Sequence, residues 1–89
     1  MMAENILHVD VVAADRQVFS GEAKMVVAKT IEGEIGLLAG HEPMLAILAS
    51  GEVRITLLGG EVVKATAADG FLSVENNKVS IVARNAELA

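Results

Sequence analysis

The chain contains no cysteine, no tryptophan and no tyrosine, a single proline, and only two aromatic residues, Phe19 and Phe71. Without cysteine there are no disulfides, iron–sulfur ligands, thiolate zinc sites or cysteine nucleophiles, which is in keeping with a reducing compartment. Two phenylalanines are too few for the stacking platforms that bind single-stranded nucleic acid, which argues against that function. Basic residues are also scarce: seven Lys and Arg stand against twelve Asp and Glu, a formal charge of -5. A phosphate backbone would be repelled on balance, so no nucleic-acid partner is expected. No apolar run approaches the roughly 20 residues of a spanning helix, and the start, MMAENILHVDVV, lacks a basic leader region. The expectation is a cytoplasmic protein that does not insert into the membrane and reaches it only through a partner.

What is present is aliphatic. Hydrophobic residues make up 53% of 89 residues, mostly Val, Ile, Leu and Ala. That length suits one domain, and β-branched side chains favour strands because they pack on a pleat and lose rotamer freedom in helices. Residues Ile6 to Ala13 alternate, with Leu7, Val9, Val11 and Ala13 on one face and His8 and Asp10 on the other. Val18 to Glu22 reads as a short extended piece, and Ala23 to Ile31 as a strand with Lys24, Val26, Ala28 and Thr30 on one face. Glu52 to Leu58 alternates most cleanly, with Val53, Ile55 and Leu57 against Arg54 and Thr56. Glu32-Gly33, Gly59-Gly60, Asp69-Gly70 and Asn76-Asn77 supply turn signals between short runs. The pattern predicts an all-β fold of about nine antiparallel strands in a sandwich or barrel. The tail, NAELA, has an N-capping Asn and helix formers, so a helix is expected to begin there.

Chemistry is thinly represented. The acid-base candidates are His8, His41, Glu34 and Glu42, and no serine sits in a G-x-S-x-G elbow. His41 and Glu42 are adjacent, so on an extended segment they point to opposite faces, and no third ligand follows at metal-site spacing. His8 alternates with Asp10 on a solvent face and needs no role. Gly33, Gly36 and Gly40 form neither G-x-G-x-x-G nor a phosphate loop, which leaves backbone turning as their task. No catalytic, cofactor-binding or metal-binding residue is therefore assigned. One alternative is that EAKMVVAKTIEG resembles the modified-lysine segment of biotinyl and lipoyl carrier domains, with Lys24 as the modified residue. In those domains the lysine sits at a hairpin tip, whereas Lys24 falls inside a predicted strand.

A more specific pattern runs through most of the chain. LHVDVVAADRQVFSGEA, GEIGLLAGHEPML, GEVRI and DGFLSV follow one another between about Ile6 and Leu88. In order and spacing they resemble the amino-terminal domain of the ATP synthase epsilon subunit family. The resemblance implies a flattened antiparallel β-sandwich of roughly nine to ten short strands at the foot of the rotor stalk. It implies a non-catalytic role in proton-translocating ATP synthase, joining the gamma subunit to the c ring. Both partners would hold it as a peripheral protein on the cytoplasmic face of a bacterial membrane.

Carried over residue by residue, the resemblance implies that His41, Pro43, Met44 and Leu45 face gamma, together with Ala13 at the end of the first strand. It implies that Glu34, with Glu32 and Gly33, approaches the polar loops of the c ring. Two residues depart from the family pattern: Ala39 stands where many members have proline, and Asp69 replaces the first glycine of G-G-F. In domain terms, residues 1–5 are expected to be flexible, 6–85 to form the sandwich, and 86–89 to be the stub of a two-helix domain. That domain inhibits rotation in the family, so the coupling role is expected without the inhibitory one.

Overall fold

A computed structural model describes residues 6–88, so the expected flexibility of residues 1–5 lies outside the described part, as does Ala89. Seven strands follow in order: β1 (Leu7–Val12), β2 (Gln17–Thr30), β3 (Gly33–Leu38), β4 (Met44–Ile47), β5 (Gly51–Leu57), β6 (Val62–Glu75) and β7 (Lys78–Leu88). The path β1-β7-β6-β5-β2-β3 closes on itself because β1 also pairs with β2, and β4 joins β6. The two strands of 14 residues, β2 and β6, each serve both layers. One layer is β4, the second half of β6, β7, β1 and the first half of β2; the other is β3, the second half of β2, β5 and the first half of β6.

The layers enclose an aliphatic core. Leu7, Val9 and Val11 of β1 point inward with Val26, Leu37, Ile55, Leu72 and Ile81, all essentially inaccessible to water. Alternation places them there, because on a pleated strand every second residue shares a face. Phe19 packs at the rim over Gly21, where an added Cβ would stand 3.1 Å from the ring. The buried Thr30 is satisfied: its hydroxyl donates to the Gly33 carbonyl at 2.7 Å and accepts from Glu32 N–H at 3.2 Å.

Four expectations change. The strands number seven rather than nine or ten, because two pairs of short segments are continuous. Val18–Glu22 runs into β2, and β6 passes through Asp69-Gly70 without reversing. Asp69 takes a φ of 61°, yet the register with β7 is unchanged across it, Ala68 opposite Asn85 and Gly70 opposite Ala83. This signal marks a corner: the neighbour of β6 switches there from β5, ending at Ala67, to β4, beginning at Phe71. Only glycine fits beside it, since a Cβ on Gly70 would overlap the Val82 carbonyl.

The tail is strand rather than helix, with Asn85 to Leu88 paired to Ala68 to Ala65 and Ala86 buried. Pairing with β6 satisfies the backbone groups of these residues, which outweighs their helix propensity. The sheet is not purely antiparallel either, because β1 and β7 run parallel from His8/Lys78 to Val12/Val82. Finally, Lys24 does not share a face with Val26, Ala28 and Thr30. Ala23 pairs with Leu57 and Met25 with Thr56, so Lys24 is the extra residue of a bulge and its side chain is turned out to solvent.

Candidate functional site: a sheet face and two loops

The G-H-E-P stretch begins with a turn. His41 N–H bonds the Leu38 carbonyl at 3.2 Å, and Gly40 sits at φ 88° while Ala39 is not at positive φ. A positive φ confined to the third residue identifies a type II turn, which requires glycine there and favours proline one residue earlier. The family's proline position is thus Ala39, and its glycine is Gly40. The His41 ring turns back on its own loop, with Nδ1 2.8 Å from the Glu42 carbonyl. A carbonyl only accepts, so Nδ1 carries the proton in this contact and Nε2 is the nitrogen left for another molecule.

β4 continues from this loop. Met44 and Ala46 pair with the buried Val74 and Leu72 and are half-buried themselves, while Leu45 and Ile47 project outward. The cross-strand registers then define rows on the outer face. Ile47, Phe71, Val82 and Val12 form one row across β4, β6, β7 and β1. Leu45, Ser73, Ser80, Asp10 and Ser20 form the next, in which the Ser20 hydroxyl donates to Asp10 at 2.7 Å. Glu75, Lys78, His8 and Glu22 form a third, polar throughout, with a carboxylate at each end. Relative exposures of 71% for Leu45, 58% for Ile47, 44% for Phe71 and 38% for Val82 mean that a contiguous apolar strip faces solvent. A strip of this kind marks a contact surface more often than scattered single residues do.

The acidic set lies around the β2–β3 turn. Ile31 and Glu32 make the turn, one residue earlier than the sequence suggested, and Gly33 follows at φ 123° as the first residue of β3. Glu34 faces the second layer's outer surface, opposite Lys29, with its Oε2 3.4 Å from Arg54 Nη2. Its carboxylate therefore already has a basic neighbour within the chain. This turn touches β4: Ile31 N–H donates to the Ile47 carbonyl at 3.0 Å, Ala49 N–H to Lys29 at 3.0 Å, and Thr30 bridges Leu48. Glu32 and Ile31 thus line one shallow depression with Met44 to Ile47, so the acidic set and the β4 set adjoin.

Ala13 is not brought to the same place. Gly40 is tied to Asn77, which also bonds His8 N–H, so the His41 loop sits at the start of β1 and Ala13 follows its end. Six residues of strand separate those ends by about 20 Å. Ala13 is also buried, with Val12 and Ala14 presenting the surface beside it. Val12 begins the apolar row that leads back to Ile47, so the face connects Ala13's end to β4 even though the side chain does not take part. Ile47, Phe71, Val82 and Val12 are the surface residues that sequence reasoning missed. Their alternation was visible, but which of the two faces was covered was not.

Around Ala13 an open groove of about 660 Å³ is bounded by Arg16, Ser50, Ala67, Arg84 and Ala86. Its walls are mainly small side chains and backbone, with Arg16 Nη2 3.4 Å from the Ala86 carbonyl. Among the described residues no three carboxylates or histidines converge as metal ligands.

The comparisons agree with this geometry. The family model described as ATP synthase, Delta/Epsilon chain, beta-sandwich domain matches residues 6–89. The ATP synthase epsilon chain of Streptomyces avermitilis is 54% identical over 83 residues, covering 93% of this chain and 67% of that one. That of Micrococcus luteus is 47% identical over 87 residues, covering 98% and 93%. A chain in the cryo-EM structure of the Euglena gracilis mitochondrial ATP synthase, comprising OSCP, F1 and c-ring, superposes with a TM-score of 0.91 at 24% identity. It covers 99% of this chain, which spans 56% of the Euglena chain, and at that identity it speaks for the fold alone. Through its whole described length, this chain belongs to the ATP synthase delta/epsilon chain family, as an epsilon-type, non-catalytic member built on the family's β-sandwich domain.

Proposed function

We propose that the chain couples the gamma subunit of the central stalk to the c ring of a proton-translocating ATP synthase, as a peripheral protein on the cytoplasmic face of the membrane. The observation that carries this reading is the apolar strip of Leu45, Ile47, Phe71 and Val82, exposed on a chain whose core is otherwise closed. Gamma covers that strip and the His41–Leu45 loop, and the adjoining Glu32–Glu34 turn reaches the polar loops of the ring. Apolar residues at the centre of the contact supply most of the affinity, while rim charges set register.

The closed strand path suits the mechanical task. Torque passing from ring to stalk must not be lost in bending, and here each strand is hydrogen-bonded into one continuous sheet around a dense core. The carrier alternative is disfavoured by the bulge at Lys24, which lies mid-strand and away from any hairpin tip.

Titration calorimetry with gamma tests the proposal. Leu45→Asp places a charge in the strip and should weaken binding more than about tenfold, the range of an interface hot spot of ~2 kcal/mol. Glu34→Ala should change it less than about fivefold, as expected for a rim charge. Equal effects of the two substitutions would refute the assignment. Leu45 is the cleaner probe than Met44, whose side chain packs against the core.

A further inference from the structure

The loop that carries His41 is held by a residue from the other end of the sequence. Gly40 N–H donates to the Asn77 side-chain carbonyl, Oδ1, at 2.7 Å, across 37 positions. The geometry explains why that donor is free: in a type II turn the closing bond uses the N–H of the fourth residue, here His41, and leaves the third residue's N–H pointing outward. Asn77 in turn is fixed. It is the second central residue of the two-residue β6–β7 turn, with φ 50° at Asn76 and 63° at Asn77, the type I′ arrangement that suits hairpins. Its own carbonyl accepts from His8 N–H at 2.8 Å, so the turn is tied to β1 as well.

We infer that Asn77 is a positioning residue: its side chain sets where the Gly40–Pro43 loop stands relative to the β4–β6–β7–β1 face, and so presents His41 to a partner. The inference rests on the proposed gamma-facing role of that loop. No other side-chain hydrogen bond from outside the loop reaches Ala39 to Pro43 among those of the described residues. The backbone of the loop is otherwise joined to the sheet only at its ends, through Leu38 in β3 and Met44 in β4. Removing the amide therefore frees the loop without unpairing a strand.

Two substitutions separate this role from a structural one. Asn77→Gly keeps a residue suited to positive φ, and Asn-Gly is a preferred pair for this turn, so the hairpin should fold as well as before. It deletes the acceptor for Gly40. Asn77→Asp keeps an acceptor oxygen at the same place and tolerates the same backbone. Amide hydrogen exchange at Gly40, followed by NMR in the isolated chain, should quicken about two- to tenfold in Asn77→Gly, the range of one exposed hydrogen bond. It should stay near the unsubstituted rate in Asn77→Asp, with the melting temperature unchanged in both. Affinity for gamma should fall by a similar factor in Asn77→Gly alone. Unchanged exchange at Gly40 in Asn77→Gly would overturn the inference. So would quickened exchange with undiminished gamma binding in a preparation where Leu45→Asp does lose binding. If Leu45→Asp also binds normally, it is the gamma reading that fails, and the Gly40 exchange result stands as evidence on the loop alone.

Discussion

The two outer faces of this small sandwich are built from equally aliphatic stretches of chain, yet they present different chemistry. On the β4–β6–β7–β1 face, Ile47, Phe71, Val82 and Val12 run without interruption across four strands. On the β3–β2–β5–β6 face, the middle rows are charged: Glu34 beside Lys29, Arg54 beside Lys64, and Glu52 beside Thr66 and Glu87. Its apolar residues Leu38, Met25 and Val62 share a row at one end, broken by Thr56. Water solvates the second face at little expense, whereas the first releases free energy when covered, at roughly 25 cal/mol per Å² of apolar surface. On the proposed reading, gamma covers the first face, while the second stays solvated apart from the Glu34 turn at its edge, which is left for the ring.

The comparison can be broken at the corner that lets β6 serve both faces. Gly70→Ala forces a methyl group onto the Val82 carbonyl, and β6 and β7 must separate locally. We expect a loss of about 3 kcal/mol or more in denaturant unfolding; a loss below 1 kcal/mol would show that the corner yields easily. A second change makes the first face resemble the second. Ile47→Lys, at an exposed position, should leave the melting temperature within a few degrees while reducing gamma affinity more than about tenfold.

Smaller effects sharpen the contrast. Ala39→Pro restores the residue that a type II turn favours at this position and should stabilise the chain by about 0.4–1 kcal/mol, read from a chemical denaturation midpoint. A destabilisation there would contradict the turn assignment. Smallest of all, Arg54→Ala removes the exposed pair with Glu34, 3.4 Å apart, and should shift stability by a few tenths of a kcal/mol. It should leave gamma binding unchanged, because it acts on the other face.

Much of the fold was legible. The alternation of Leu7, Val9 and Val11 identified both the first strand and its inward face, and the same reading placed Val53 and Ile55 in the core. Asn76-Asn77 was correctly a hairpin turn, because two consecutive residues at positive φ are tolerated by asparagine and by few others. The illegible parts share a cause. Asp69-Gly70 has turn chemistry but is a corner, since a positive φ signals a change of direction without saying how large it is. NAEL has helix propensity but pairs with β6, because the backbone partners waiting there outweigh a preference of a few tenths of a kcal/mol per residue. Lys24 was placed on the wrong face because a one-residue bulge inverts every side chain that precedes it relative to those that follow.

The candidate site divides in the same way. The resemblance named His41, Pro43, Met44 and Leu45, and of these Leu45 is the exposed apolar residue on β4. It also named Ala13, whose side chain the fold buries about a strand's length from the His41 loop. By itself the sequence determined an aliphatic, cysteine-free, acidic β domain of the epsilon type, because composition, periodicity and an ordered set of motifs are local properties of the chain. Only the tertiary structure decided that Ile47, Phe71, Val82 and Val12 form one row, and that Asn77 reaches Gly40. Both depend on the register between strands distant in sequence, which is set by the closure of the whole sheet rather than by any one segment of it.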